Sequence, residues 1–258
     1  PKKGEFLLLD TTQKVYDFIG SNPIVEGDQE FIQDEVNWRK NKHRLSLQQA
    51  QESVRDTVTN TYSEYEDFKV LLGNREIEVY CAENLNLDGT LSDGHKTVGT
   101  VTFKGKQVFC KFTNEFWKKS IRGFQNIKEE CDLVMKLRKL REKVSNIVEV
   151  LPYVVLNKSA NGNCNIGYFM QVVSGIQLRK ISQLSPEEKK AIQAQFDSAV
   201  EAMFESGYAL YDFNDDNVLW DGKKLTFIDL NASGFKQEHL QNADTYDVMA
   251  RMMLMLEG

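Results

Sequence analysis

The sequence predicts an α+β protein: a helical N-terminal region, a strand meander interrupted by one long helix, and a mostly helical last third. Three observations carry this. From Asp28 to Phe68 there is no Pro or Gly, and Phe31, Val36, Trp38, Leu45, Leu47, Val54, Val58, Tyr62, Tyr65 and Phe68 recur at loose helical spacing. From Ile77 the texture becomes short apolar runs cut by Gly- and Asn-containing turns. At Ser185, a Ser with Glu188 three residues on and Pro186 between them marks a helix start.

The elements follow in order. Residues 28–68 read as two or three amphipathic helices. Ile77, Val79 and Cys81 alternate as in a half-buried strand. Asn86–Gly94 reads as a turn, followed by strands at Val98–Phe103 and Gln107–Phe112 around Gly105. A long helix is expected from about Asn114 to Val144, with a break near Gly123. Val148–Leu156 and Ile166–Val173 read as two further strands joined by a turn at Asn161–Asn165. The helix that starts at Pro186 should run to about Glu205 and stop at Gly207. Val218–Trp220 and Leu225–Ile228 flank an Asp221–Gly222 turn. A last helix is expected over Ala243–Leu256. The domains implied are 1–75, a helical extension; 76–174; and 175–258.

Composition excludes several classes. The 258 residues hold 32 Lys+Arg and 38 Asp+Glu, so the net charge of -6 gives no reason to expect general nucleic-acid binding. No apolar run approaches the roughly 18–20 residues that span a bilayer. No signal peptide is visible, although the chain begins at Pro1 rather than Met. Cys81, Cys110, Cys131 and Cys164 form no C-x-x-C pair. With His43, His95 and His239 they assemble no zinc pattern, and they read as buried free thiols.

The chemistry lies in Asp212-Phe-Asn-Asp-Asp-Asn217-Val-Leu-Trp and Phe227-Ile-Asp229-Leu-Asn. An Asp, an Asn five residues later, a short hairpin and a second Asp put two carboxylates and an amide at the ends of adjacent strands, facing one cleft. Metal-assisted phosphoryl transfer needs that set. A carboxylate and an amide oxygen hold Mg²⁺ against nucleotide phosphates, and the second carboxylate receives the acceptor's proton.

These segments resemble the catalytic loop and metal motif of the protein-kinase-like superfamily. Val108-Phe-Cys-Lys111 resembles its third-strand lysine motif. Glu130, nineteen residues later, resembles the helix Glu that pairs with that lysine, with Glu129 as the alternative. Phe169-Met170-Gln171-Val172-Val173-Ser174-Gly175 resembles the gatekeeper and hinge, and Asp247 the Asp that braces the catalytic loop. Gly207-Tyr-Ala-Leu-Tyr-Asp212, Asn217-Val-Leu-Trp-Asp and Ile228-Asp229-Leu resemble the small bacterial effector kinases of the OspG/NleH type. The resemblance covers roughly residues 77–258. It implies a two-lobed protein-kinase-like fold with a truncated C-terminal lobe that lacks the helices after the one carrying Asp247.

What the resemblance implies for activity is ATP- and Mg²⁺- (or Mn²⁺-) dependent phosphorylation of a protein Ser/Thr hydroxyl. The catalytic residues would be Asp212, Lys111 and Glu130. Lys111, Met170, Gln171 and Val173 would bind ATP, and Asn217 and Asp229 the metal. It further implies a bacterial effector secreted into a host cytosol. Three departures stand out. Tyr211 precedes Asp212 where the family has Arg, which removes the reader of an activation-loop phosphate. Asn231 replaces the Gly of the metal motif. Gly89, Gly94 and Gly99 do not keep the G-x-G-x-x-G spacing. The other readings are a small-molecule phosphotransferase, a pseudokinase and a nucleotidyl-transferring relative.

A second candidate site comes from charge. Lys118, Lys119, Arg122, Lys128, Lys136, Arg138, Lys139, Arg141 and Lys143 stand against four acids in the same stretch. Arg39, Lys40, Lys42 and Arg44 form another cluster. Such basic groups suit an inositol polyphosphate, for instance inositol hexakisphosphate, or a phosphoinositide headgroup at a membrane. Effector kinases of this kind commonly need a host factor. Some from Legionella use an inositol phosphate, whereas the OspG/NleH type engages ubiquitin-conjugating enzymes. The alternative is a solvated basic helix face.

Overall fold

The computed structural model describes residues 4–19, 29–56, 72–74, 76–92, 96–113, 122–160, 164–207 and 215–228. The first part runs β1 (Leu7–Leu8), α1 (Thr12–Ile19), α2 (Gln29–His43) and α3 (47–56). Then come β2 (Glu78–Glu83), β3 (Asp88–Ser92), β4 (Lys96–Phe103), β5 (Lys106–Thr113), α4 (Arg122–Lys143), β6 (Val150–Lys158) and β7 (Cys164–Gln171). The rest is β8 (Ile176–Gln177), α5 (Pro186–Glu205), β9 (Val218–Trp220) and β10 (Leu225–Phe227). The α+β class read from the sequence is the class found. No helix among the described residues is long and apolar enough to cross a membrane.

Two compact units divide the chain, one comprising residues 1–134 and 152–169, the other 135–151 and 170–258. A seven-stranded sheet in the order β1-β2-β6-β7-β5-β4-β3 dominates the first. The β4–β5 hairpin turns at Lys104 and Gly105, both with positive φ (49° and 76°), as a two-residue turn of matching twist requires. Its register sets Lys111 opposite Val98.

Two strands differ from expectation. Asp88-Gly89 signals a turn, yet Asp88–Ser92 is β3, antiparallel to β4. Gly89 (φ 65°) sits where the register shifts, so this glycine makes a bulge within the strand instead of ending it. β2 was expected to be buried on one side, but Val79, Tyr80, Cys81 and Ala82 are all buried. It lies between β1 and β6, antiparallel to the first and parallel to the second. A strand covered on both faces loses the alternation of a half-exposed one. The sequence reading also missed β1 and β8, whereas α1 falls in the region read as helical.

Aromatic residues fill the core of this unit. The Phe103 ring centroid lies 4.7 Å from that of Phe169 and 5.0 Å from those of Phe6, Tyr80 and Tyr153. Val36 on α2 packs with Ala50 and Val54 on α3. α4 is described from Arg122 onward, and its expected first residues, 114–121, on the other side of the expected break near Gly123, lie outside the described residues. All four cysteines are free and buried.

The second unit is organised by α5. Ser185 Oγ accepts a hydrogen bond from the Glu188 amide (3.1 Å), and Glu188 Oε2 accepts one from the Ser185 amide (3.0 Å). The expected capping box is therefore formed, with Pro186 as the first helical residue. Beyond Glu205 the chain leaves the helix at Gly207 (φ 80°). Ile192, Phe196, Ala199, Val200 and Met203 form one buried stripe on α5. They pack with Leu140, Val144, Ile147, Val218, Trp220, Leu225 and Phe227. β8, β9 and β10 form a three-stranded sheet in the order β10-β9-β8. The helix expected at Ala243–Leu256, with Asp247, lies outside the described residues.

Candidate functional site

Lys111 and Glu130 come from the two elements expected to supply them, the third strand of the β3–β4–β5 meander and the helix after it. Ile127, Cys131 and Val134 are buried on α4. Glu130 lies three residues after Ile127 and four before Val134, so it shares the inward face. It is half-buried, whereas Glu129 is exposed. The choice of Glu130 over Glu129 follows from this helical phase.

The electrostatics tie the pair together. Burial pushes the Glu130 carboxyl up to about 7, while the positive charge of Lys111 pulls it down and the charge of Glu129 adds to the rise. The Cys110 thiol, next to Lys111 in sequence, is raised well above its ordinary value by burial and also feels Glu130. Cys131 is raised for the same two reasons, in the same order. Lys111 and Glu130 are both half-buried, and the rise at Glu130 shows surroundings that solvate charge poorly.

Gly167 on β7 lets the strands close up at this point. A Cβ on it would overlap the carbonyl oxygen of Lys111 and fall 2.7 Å from Cδ1 of Phe112. Sequence reading gave Gly167 no role; a glycine inside a strand, where it weakens β structure, is the signal that could have found it.

The remaining nucleotide and metal candidates belong to the second unit. Met170 is buried at the end of β7. Gln171 is exposed, and its amide donates to the Glu149 carbonyl (2.9 Å). Val173 is half-buried. Gly175 (φ 140°) passes so close to β9 that a Cβ would meet the Trp220 carbonyl oxygen at 3.0 Å, so a side chain there is both strained and crowded.

Asn217 ends a 3-10 turn, Asp215–Asn217, that leads into β9. Its carbonyl accepts from the Ile228 amide at 2.9 Å. Asp216 beside it is bound by two residues that sequence reading did not connect to the site. Gln177 Nε2 donates to the Asp216 carbonyl (2.9 Å), and Arg179 Nη1 pairs with Asp216 Oδ2 (2.9 Å). These partners lie 39 and 37 residues away in the chain, and no local pattern signals them. Asp212 and Asp229 lie outside the described residues. The donor chemistry expected for the metal, an amide oxygen and a carboxylate, fits Mg²⁺, which takes few protein oxygens.

Several members of the basic set are committed to the protein itself. Arg39 is buried between α2 and α3, where Nε donates to Glu35 Oε1 (2.9 Å) and Nη1 to the Ser53 carbonyl (2.8 Å) and Oγ (2.7 Å). The sequence reading took it as part of an anion-binding surface. Its six per cent exposure makes it instead a cross-link between helices. Lys128 pairs with Asp132 at 3.0 Å, and Arg138 donates to the Val150 carbonyl at 2.8 Å. Lys42 lies over the Trp38 ring at 4.4 Å. Lys40, Lys136 and Lys139 are exposed, and the buried Nε of Arg141 has no hydrogen-bond partner among the described residues. Lys118, Lys119 and the side chain of Arg122 lie outside what the structure describes.

Comparison with protein-family models and with curated proteins finds no match to this sequence.

Proposed function

We propose that the chain is an ATP- and Mg²⁺-dependent protein kinase with a two-lobed kinase-like fold. The observation that carries the reading is the placement of Lys111 on β5 and of Glu130 on the inward face of α4, the next helix. Protein kinases use such a pair to hold nucleotide phosphates. The sheet supports it further, since Lys111 is on the third strand of an antiparallel meander that opens at Asp88.

In this reading Lys111 binds the α- and β-phosphates, and Glu130 fixes the lysine's direction. Met170, Gln171 and Val173 border the adenine. Asp212 orients the acceptor Ser/Thr hydroxyl and takes up its proton. Asn217 and Asp229 would hold Mg²⁺, which when bound screens the phosphate charge. A polyanionic activator, such as an inositol polyphosphate, would act through exposed α4 lysines such as Lys136 and Lys139 and bias the position of the helix that carries Glu130.

The test is transfer from γ-phosphate-labelled ATP to a general protein substrate with Mg²⁺ or Mn²⁺, with and without inositol hexakisphosphate, for wild type and Asp229→Ala. Label in wild type alone is expected. Equal label in Asp229→Ala contradicts the reading, and label arising from the α-phosphate makes the protein a nucleotidyl transferase. ATP binding with no transfer under every condition makes it a binding platform.

A further inference from the structure

The turn that ends at Asn217 is too short to hold its own shape. A 3-10 turn of three residues has little internal hydrogen bonding, so the aim of the Asn217 amide depends on what grips the turn from outside. One grip is the bond from the Ile228 amide to the Asn217 carbonyl, 2.9 Å, from the residue just before Asp229. The others come from β8 and the residues after it. Gln177 Nε2 holds the Asp216 carbonyl at 2.9 Å, and Arg179 Nη1 holds the Asp216 carboxylate at 2.9 Å.

We propose that Gln177 and Arg179 are positioning residues that set Asn217 for its cation and join the hinge segment to the metal end of the same site. This rests on the phosphotransfer reading and extends it to two residues that touch neither nucleotide nor metal.

Two features of the geometry argue for it. Ile176 and Gln177 pair with Trp220 and Leu219, so β8 and the strand that follows Asn217 share one ladder. β8 directly continues the segment 171–175, whose Gly175 packs against the Trp220 carbonyl. A displacement of that segment is therefore passed to the Asn217 turn through a ladder and two side-chain bonds. The second feature is chemical. The Asp216 carboxylate is a hard oxygen donor one residue from Asn217 and would compete for the same cation. Its pairing with Arg179 turns it towards the guanidinium and leaves the amide oxygen to the metal.

A purely structural role makes a different prediction. The Arg179 side chain is 63% exposed and that of Asp216 31%. Exposed ion pairs of this kind add little to stability. Arg179→Ala should therefore melt close to wild type while its metal response moves.

The experiment is a Mg²⁺ titration of fluorescent ATP-analogue binding by the full chain, with phosphotransfer and thermal melting measured in parallel. Gln177→Ala and Arg179→Ala should raise the Mg²⁺ half-saturation about tenfold, the size typical of losing a partner behind a metal ligand. Nucleotide KM at saturating Mg²⁺ should change by no more than about twofold. Arg179→Lys should recover most of the response, and Lys180→Ala, a charge lost from an exposed residue of the same turn, should match wild type. Unchanged half-saturation in both variants overturns the assignment, as does an equal shift in Lys180→Ala. If wild type itself shows no Mg²⁺-dependent nucleotide binding, the phosphotransfer reading fails first, and this proposal with it.

Discussion

Gly167 on β7 lies against the backbone of Lys111 on β5, so close that a Cβ at 167 would overlap the Lys111 carbonyl oxygen. Only a residue without a side chain lets the two strands approach at the point where the lysine leaves the sheet.

Gly167→Ala must therefore push β5 aside or strain β7. Overpacking of this kind costs about 1–3 kcal/mol. The variant should lose that much in denaturant unfolding. It should also bind ATP more weakly than an equally destabilised variant of the α5 core, such as Ala199→Gly, because the shift falls on Lys111. Equal ATP affinity in the two would detach Gly167 from the site.

Glu130 gives a pH signature with a definite sign. In the folded chain it titrates at about 7, above its ordinary value of 4.5. Between these values the folded state keeps a proton that the unfolded state has released. Stability attributable to Glu130 therefore falls as pH rises from about 4.5 to about 7 and is level above that. The total is up to about 3 kcal/mol, and Glu130→Gln should lack it in unfolding measured across that range. Phosphotransfer should behave oppositely, rising through pH 7 as Glu130 ionises to hold Lys111. A wild-type rate that is flat from pH 6 to pH 8 would contradict that role.

Ser185→Ala removes the capping box of α5 and should cost about 1 kcal/mol. The cap serves the core of the second unit rather than the chemistry, so the thermal midpoint should drop while KM for ATP stays the same. A changed KM would mean that α5 takes part in nucleotide binding.

Much of this was legible in the chain because it depends on local rules. The capping box, the Lys104–Gly105 hairpin and the helical phase of Glu130 each follow from residues within a few positions of one another. The misses are non-local. β2 lost its expected alternation because both of its faces are buried, as an inner strand between β1 and β6, each more than seventy positions away. Asp88-Gly89 became a bulge because β4 was there to pair with. Arg39 carries a charge that looked available, but packing of α3 on α2 turned it inward to Glu35 and Ser53. Gln177 and Arg179 reach Asp216 across an entire helix, and only the folded chain brings them together.

The central claim is that Lys111 and Glu130 act as one unit on the nucleotide phosphates. Its most direct test is a double-mutant cycle on γ-phosphate transfer with Lys111→Ala, Glu130→Gln and the two combined. Residues that act as a unit are strongly non-additive. Each single change should lower kcat/KM by about 10²-fold or more, with the double variant no worse than the more damaged single. Singles that transfer phosphate at the wild-type rate, or a double variant whose loss is the product of the two single losses, would contradict the account.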